Sequence, residues 1–227
     1  MTHGTDRRAI PQREARWAGR IADALFAVRI RPNHISIASL VLALIGAAAL
    51  ALSGTQVPLP RAGLLLIAAG CTPLRLLFNM LDGMLAVEKG LQSPTGDLFN
   101  EVPDRLADLA LIAGAGYAIA GTWVSGSLDW GVGLGWLGGA AAVLTAYVRT
   151  LGAAQGVGNF FDGPAPKQVR MWALVTACLT SLVEPESWRG VSLLIALGLI
   201  AAGSLVTVVV RLRQISRAVH AAAAGRG

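Results

Sequence analysis

Polar side chains recur at helical spacing inside an otherwise apolar stretch of the sequence. Arg75, Asn79 and Asp82 are separated by four and three residues, so a helix would carry all three on one face. Ionisable groups inside a membrane are costly, and they usually mark a functional site. The spacing therefore predicts one polar helix face that could do chemistry.

A second polar face follows a short connection. Asn100, Asp104 and Asp108 recur every four residues and would also share one face of a helix. Residues 88–95 form a turn between the two helices and contain Lys-Gly and Ser-Pro-Thr, which are typical stop and start signals. We expect the two polar faces to meet across an antiparallel helix pair.

Two interpretations of this polar cluster remain open from spacing alone. Clustered carboxylate and amide oxygens suit Mg²⁺ or Ca²⁺, which are hard ions that prefer oxygen ligands. Alternatively, the cluster is a set of interhelical hydrogen bonds with a salt bridge such as Arg75 with Asp82. Buried carboxylates need partners of one kind or the other.

A second basic group follows later in the chain. Arg149, Lys167 and Arg170 are expected on the same side of the membrane as the polar faces. An arginine fork suits phosphate, whereas ordinary anchoring at the cytosolic surface would place basic residues there without any ligand.

The elements that would position these residues are membrane spans. The 227-residue chain is 54% hydrophobic and only 14% charged, with a mean hydropathy of +0.59. A span needs about 20 mostly apolar residues. The sequence predicts an all-α integral membrane fold with six spans near residues 35–52, 64–87, 97–120, 132–151, 169–183 and 191–210.

The flanking charges predict the orientation. Basic residues crowd both the segment before the first span and the segment after the sixth, so both termini are expected in the cytosol. Residues 14–28 have apolar positions at helical spacing, which predicts an amphipathic helix lying in the membrane interface.

Three regions follow from this reading. They are a cytosolic arm with the amphipathic helix at 1–33, a six-helix catalytic-type domain at 34–211 and a basic cytosolic tail at 212–227. The net charge of +6 is concentrated at span edges, which favours anionic lipid over nucleic acid as a partner. Cys71, Cys178 and the three histidines lack the spacing of a Cys/His metal site.

The stretch from Asn79 to Asp104 resembles the signature of the CDP-alcohol phosphotransferase family. That signature is D-x-x-D-G-x-x-A-R, eight residues, then G-x-x-x-D-x-x-x-D, and this chain has N-M-L-D-G-M-L-A-V, eight residues, then G-D-L-F-N-E-V-P-D. The positions that match in type and register are Asp82, Gly83, Ala86, Gly96 and Asp104. Asn79, Asn100 and Val87 stand where the family has Asp, Asp and Arg.

The resemblance implies a role for each matching position. Asp82 and Asp104, with Asn79 and Asn100 as amide ligands, would hold one or two Mg²⁺ or Mn²⁺ ions, and Asp104 would act as general base. A nucleotide would lie against Gly83, Ala86, Gly96 and Arg75. An acceptor phosphate would bind Arg149, Lys167 and Arg170.

The implied function is transfer of a phosphatidyl-type group from a CDP-linked lipid to an alcohol or phosphorylated alcohol, with release of CMP. The three substitutions support an alternative, a family member that binds a nucleotide or lipid without catalysis. A small transporter is weaker, because no half-to-half repeat is evident. The resemblance also implies a homodimer in a bacterial-type plasma membrane.

Overall fold

The fold, taken from a computed structural model, is described for residues 15–91 and 95–224. Within these ranges the chain forms seven α-helices and one β-hairpin, whose two strands have two residues each. The helices are α1 Arg16–Ala27, α2 Pro32–Ser53, α3 Arg61–Glu88, α4 Gly96–Tyr117, α5 Trp130–Ala154, α6 Lys167–Thr180 and α7 Val191–Ala224. The hairpin pairs β1 Val124–Ser125 with β2 Leu128–Asp129, and a 3-10 turn covers Glu186–Trp188.

The six helices from α2 to α7 form one bundle. Helix α2 packs against α3 and α4, α5 packs against α4 and α7, and α6 packs against α3 and α7. The bundle interior is apolar and includes the fully buried Leu50, Leu65, Leu111, Leu174 and Leu197. Since successive helices run in opposite directions, the ends of α3 and α5 lie beside the beginnings of α4 and α6.

Four of these helices are long and apolar enough to cross a membrane: α2, α3, α5 and the segment Glu186–Ala224 that contains α7. This property identifies an integral membrane protein. Helix α4 carries several charges in its first turns, and α6 has only 14 residues. The predicted total of six spans therefore remains a prediction, although a helix forms near every predicted position.

Helix α1 lies against the end of α3. Its Ala18 and Ala22 are buried against Met80, Leu81 and Met84. Trp17 and Ile21, which belong to the apolar face expected from the sequence, remain partly exposed beside this contact. The helix is amphipathic as predicted, and its position in a membrane interface is an expectation that the packing does not test.

Two helices are longer or less interrupted than the sequence indicates. Helix α3 continues through Pro73, although a proline inside a helix usually kinks or ends it. Helix α7 extends to Ala224 and so includes most of the segment expected to form a separate tail. The additional turns of α7 bury Ile215 against Val148 of α5, and this packing favours continuation of the helix.

Glycines allow α4 to approach its neighbours closely. A Cβ atom on Gly114 would lie 2.7 Å from the carbonyl oxygen of Ala47 in α2, and one on Gly135 would lie 3.0 Å from Cα of Gly116. The Ala/Gly-rich run of α5 therefore serves close helix packing.

Candidate functional site

The polar residues predicted from the sequence meet at one end of the bundle. Arg75, Asn79 and Asp82 lie on the second half of α3, and Asp104 and Asp108 lie on the first half of α4. Lys167 and Arg170 are on the first turn of α6, and Arg149 is near the end of α5. The antiparallel arrangement of the helices brings these four helix ends together.

Arg75 is the centre of the buried ion-pair network. Its side chain is 0% exposed, and its Nη2 lies 2.6 Å from Oδ1 of Asp104 while its Nη1 lies 2.8 Å from Oδ1 of Asp108. Arg170 pairs with the second oxygen of Asp108 at 2.9 Å. The salt bridge between Arg75 and Asp82 that the sequence suggests is therefore wrong, because Arg75 pairs with Asp104 and Asp108 of the neighbouring helix instead.

Asp104 has four side-chain partners. Besides Arg75, its Oδ1 accepts hydrogen bonds from Lys167 Nζ and from Asn79 Nδ2, the latter at 2.6 Å. Arg105 lies 3.0 Å from its Oδ2. Both oxygens of this carboxylate are therefore engaged by groups of the chain itself.

Asp82 lies in a separate hydrogen-bonded group between α2 and α3. Ser36 donates to its Oδ2 at 2.8 Å, and Ser39 donates to the side-chain oxygen of Asn79. Asp82 is 2% exposed, and its Oδ1 has no hydrogen-bond partner. A buried carboxylate oxygen without a partner is unusual, and it leaves one free acceptor at the site.

A first cavity of about 340 Å³ opens between α1, α3, α4 and α6. Its polar lining residues are Asn79, Asn100, Glu101, Asp104, Lys167 and Gln168. Its apolar lining residues are Trp17, Pro73, Leu76, Leu77, Met80 and Trp172. A cavity lined by both polar and apolar side chains suits an amphiphile whose charged group is joined to hydrocarbon.

A second cavity of about 180 Å³ lies next to the first between α4, α5, α6 and α7, and shares Lys167 and Gln168 with it. Its basic lining residues are Arg105, Arg149, Lys167, Arg170 and Arg211. Arg149 pairs with Glu101 at 2.6 Å, and its guanidinium carbon is 5.7 Å from the Phe161 ring centroid. A small cavity with this lining attracts phosphate.

The three predicted acceptor-phosphate residues all line the second cavity. Three of the predicted nucleotide contacts lie elsewhere, since the described linings of the two cavities include none of Gly83, Ala86 and Gly96. Gly83 is buried in α3 and Gly96 begins α4. Arg75 is within the ion-pair network, so its predicted contact with a nucleotide would require the network to rearrange.

Three further residues line the cavities, and the sequence pattern assigns them no role at the site. They are Trp17 at the first cavity and Arg105 and Arg211 at the second. Trp17 belongs to the segment that the sequence predicts as an amphipathic helix. For Arg105 and Arg211 the sequence offers only the signal of a charge at the edge of a span.

The donor atoms do not fit a divalent metal in the arrangement described. Asn79 uses its oxygen for Ser39 and its amide nitrogen for Asp104, and both oxygens of Asp104 face cations or donors. Among the described residues, no group of three or more His, Cys, Asp or Glu side chains could hold a metal ion. Asp82 Oδ1 alone is too few ligands for Mg²⁺, which demands near-octahedral coordination.

Solved structures with the same arrangement of helices come from Mycobacterium tuberculosis. A phosphatidylinositol phosphate synthase in complex with manganese and citrate superposes with a TM-score of 0.70 at 21% identity, covering 87% of this chain and 88% of the synthase. The same synthase with CDP-DAG bound gives 0.70 at 24% identity, with 88% and 94% covered. Its apo form gives 0.66 at 23% identity, with 86% and 94% covered.

This chain has the fold of that synthase. The match extends over most of the length of both chains. No protein-family model matches the sequence, and a search of curated proteins finds no relative. At these identities the likeness to the synthase is one of fold.

Proposed function

We propose that this protein is a membrane-embedded transferase that moves a phosphatidyl-type group from a CDP-linked lipid to an alcohol, preferably one that carries a phosphate, and releases CMP. The observation that carries this proposal is the pair of adjoining cavities that share Lys167 and Gln168. The first suits a lipid-linked donor, and the second suits a small anionic acceptor. The CDP-DAG-bound synthase of the same fold supports the donor class.

The first cavity accounts for a donor that is part lipid and part nucleotide. Trp17 and Trp172 are half-exposed among its apolar lining residues, where acyl chains could pass into the surrounding bilayer. Lys167, one of its polar lining residues, offers a compact charge for pyrophosphate. The donor is itself anchored in the membrane, so a site at the membrane face is where such a lipid can bind.

The second cavity accounts for a phosphorylated acceptor. Arg149 and Arg211 lie on different helices, α5 and α7, and face the same space. Arg211 donates to the carbonyl oxygens of Thr145 and Phe161, which fixes its position in the wall. A phosphate held here would direct the free hydroxyl of the acceptor towards Lys167 and the first cavity.

Asp104 is at the boundary between the two cavities. It lines the first, and its ion-pair partners Arg105 and Lys167 line the second. In the proposed reaction the acceptor oxygen attacks the phosphatidyl phosphorus, the phosphorus–oxygen bond to CMP breaks, and Asp104 takes the hydroxyl proton. Lys167 would then have to leave Asp104 and pair with phosphate, because the proton needs a free carboxylate oxygen.

The contacts of Asp104 favour a second candidate function, which is binding without catalysis. Four groups engage the carboxylate of Asp104, and such a carboxylate is poorly available as a base. This favours a protein of the same fold that binds a CDP-linked lipid without transferring it. Binding without turnover separates this candidate from the transferase.

The test is an assay of CMP release from CDP-diacylglycerol by the purified full-length protein. The acceptors should include phosphorylated and unphosphorylated alcohols, each with Mg²⁺, with Mn²⁺ and with EDTA. The transferase predicts acceptor-dependent CMP release. Bound CDP-diacylglycerol with no CMP release under any condition would leave the non-catalytic candidate in its place.

The proposed function also requires a particular orientation in the membrane. Both termini would be cytosolic and the cavities would open to the cytosol, because the basic residues concentrate at that end of the bundle. The homodimer and the bacterial-type plasma membrane are implied by the family resemblance and stay predictions.

A further inference from the structure

We propose that this site binds a nucleoside-diphosphate-linked lipid without a metal ion. Arg75 and Lys167 would supply the positive charge that the resemblance of the motif assigns to a divalent metal. The proposal deepens the proposed function and depends on it for the class of ligand. It concerns how the charge at the site is balanced, which can be measured without turnover.

The two cations occupy the carboxylate that a metal would need. Arg75 Nη2 lies 2.6 Å from Asp104 Oδ1, and Lys167 Nζ contacts the same oxygen. A metal ion could reach this oxygen only by displacing both. That displacement would leave Arg75, which is fully buried, without one of its two carboxylate partners, and uncompensated buried charge is strongly unfavourable.

The charge at the site also disfavours a dication. The carboxylates of the site are Asp82, Glu101, Asp104 and Asp108. The cations paired with the last three are Arg75, Arg105, Arg149, Lys167 and Arg170. Five cations therefore face four carboxylates, and the amide side chains of Asn79 and Asn100 add no negative charge. Such a cluster attracts anions and repels a free Mg²⁺.

The two cations have different tasks. Arg75 is held on both sides, by Asp104 and Asp108, and its side chain is 0% exposed, so it is a fixed charge beneath the cavity. Lys167 is 19% exposed, lines both cavities and carries its ammonium on a flexible stem. Lys167 can therefore exchange Asp104 for a phosphate oxygen, while Arg75 keeps the carboxylate neutralised.

Asn79 fits this arrangement as a neutral connector. It accepts from Ser39 of α2 and donates to Asp104 of α4 at 2.6 Å. An aspartate at this position could not donate to Asp104 and would place a second negative charge beside it. The asparagine is thus matched to a carboxylate that is already neutralised by protein cations.

The first experiment measures equilibrium binding of CDP-diacylglycerol to the purified full-length protein in detergent micelles, once in EDTA and once in Mg²⁺. We expect the two dissociation constants to agree within about threefold. Tightening by Mg²⁺ of about tenfold or more would overturn the proposal and leave the proposed function standing. Binding in neither buffer would remove the proposed function, and this inference with it.

The second experiment repeats the EDTA measurement on two variants with the same chemical change. Lys167→Met should weaken binding by about tenfold or more. Lys89→Met is the matched control, because Lys89 pairs with Asp23 at the same end of the bundle but outside both cavities, and it should change binding less than twofold. Equal effects of the two variants would overturn the assignment to Lys167.

Lys167→Arg tests whether a loss of binding in Lys167→Met reflects the lost charge or a misfolded protein. It keeps the charge beside Asp104, so it should retain binding in EDTA to within a few fold and should elute as the native protein does in size-exclusion chromatography. If Lys167→Arg binds as poorly as Lys167→Met, the position is sensitive to shape and not to charge, and the proposal fails.

Discussion

Arg75 of α3 and Asp104 of α4 form a buried ion pair with 2.6 Å between Nη2 and Oδ1, and the two side chains are 0% and 7% exposed. The pair joins the two helices that carry the signature-like motif. It also sets the charge of the site, because Asp104 is the position to which the motif assigns the general base. The stability of the bundle and the chemistry of the site therefore depend on the same contact.

Replacing Arg75 by Met should destabilise the protein strongly. The change leaves Asp104 short of one cation and Asp108 dependent on Arg170 alone, and breaking a buried pair from one side typically costs about 3–5 kcal/mol. Thermal unfolding in detergent would measure this. Arg189→Met is the control, because Arg189 pairs at 3.6 Å with the exposed Glu186 and should matter little. Equal melting temperatures for the two variants would contradict the role of Arg75.

Asp104→Asn should abolish acceptor-dependent CMP release, since it removes the proton acceptor at the boundary of the two cavities. The variant should still fold but with lower stability, because its one amide oxygen can accept from only some of the same donors while Arg75 keeps Asp108 as a carboxylate partner. CMP release and size-exclusion chromatography together measure both effects. Asp23→Asn makes the same change at an exposed position of the same end and should retain activity. Full activity in Asp104→Asn would remove this residue from the mechanism.

Restoring the motif at Asn79 and Asn100 should create metal affinity. Each Asn→Asp change adds a negative charge at the first cavity, worth roughly 1 kcal/mol in a screened setting, or up to about tenfold in affinity for each. The electron paramagnetic resonance signal of free Mn²⁺ would report binding by the double variant and by the native protein.

The control for that comparison is Gln155→Glu, which adds a negative charge at the exposed end of α5, outside the described linings of both cavities. It should leave Mn²⁺ binding at the native level. If the double variant binds Mn²⁺ no better than Gln155→Glu does, the two asparagines do not face a possible metal position.

Arg149→Met should impair phosphorylated acceptors selectively. Arg149 lines the second cavity, so its loss should raise KM for a phosphorylated alcohol by about tenfold or more and change KM for its unphosphorylated counterpart little. Arg213→Met is the control, because Arg213 is exposed on α7 and outside the described cavity linings. An equal rise in KM for both acceptor types would argue against a phosphate pocket.

Gly114→Ala should destabilise the bundle, because its Cβ would lie 2.7 Å from the carbonyl oxygen of Ala47 and α4 would have to move away from α2. Gly70→Ala is the matched control within α3, since a Cβ there meets no atom within 4 Å. Helix propensity favours alanine at both positions. A melting temperature for Gly114→Ala equal to or above that of Gly70→Ala would show that α2 and α4 do not pack this closely.

Much of the site was predictable because it depends on local periodicity. Asn79, Asp82, Asn100 and Asp104 could be placed on two helix faces from spacing alone, and the turn between the helices indicated that the faces would meet. Asn79 and Asp104 do meet, at 2.6 Å. Lys167 and Arg149 were expected nearby because helices that alternate in direction return their ends to the same side.

The partners of each charge were not predictable in the same way. The sequence suggested Asp82 as a partner of Arg75, which lies two turns before it on the same helix, yet Arg75 reaches across to Asp104 and Asp108. Which carboxylate a long side chain meets depends on the rotation and offset of α3 against α4, and these follow from packing between helices far apart in the chain.

The sequence by itself therefore determined the membrane class, the order of the helices and the two polar faces, since composition and period-3.6 spacing are local properties. Only the tertiary structure decided that Asp104 is neutralised by Arg75 and Lys167, that Arg211 of α7 lines a cavity with Arg149 of α5, and that the two cavities share Lys167. Each of these contacts joins side chains of different helices, so it depends on how the helices pack against one another.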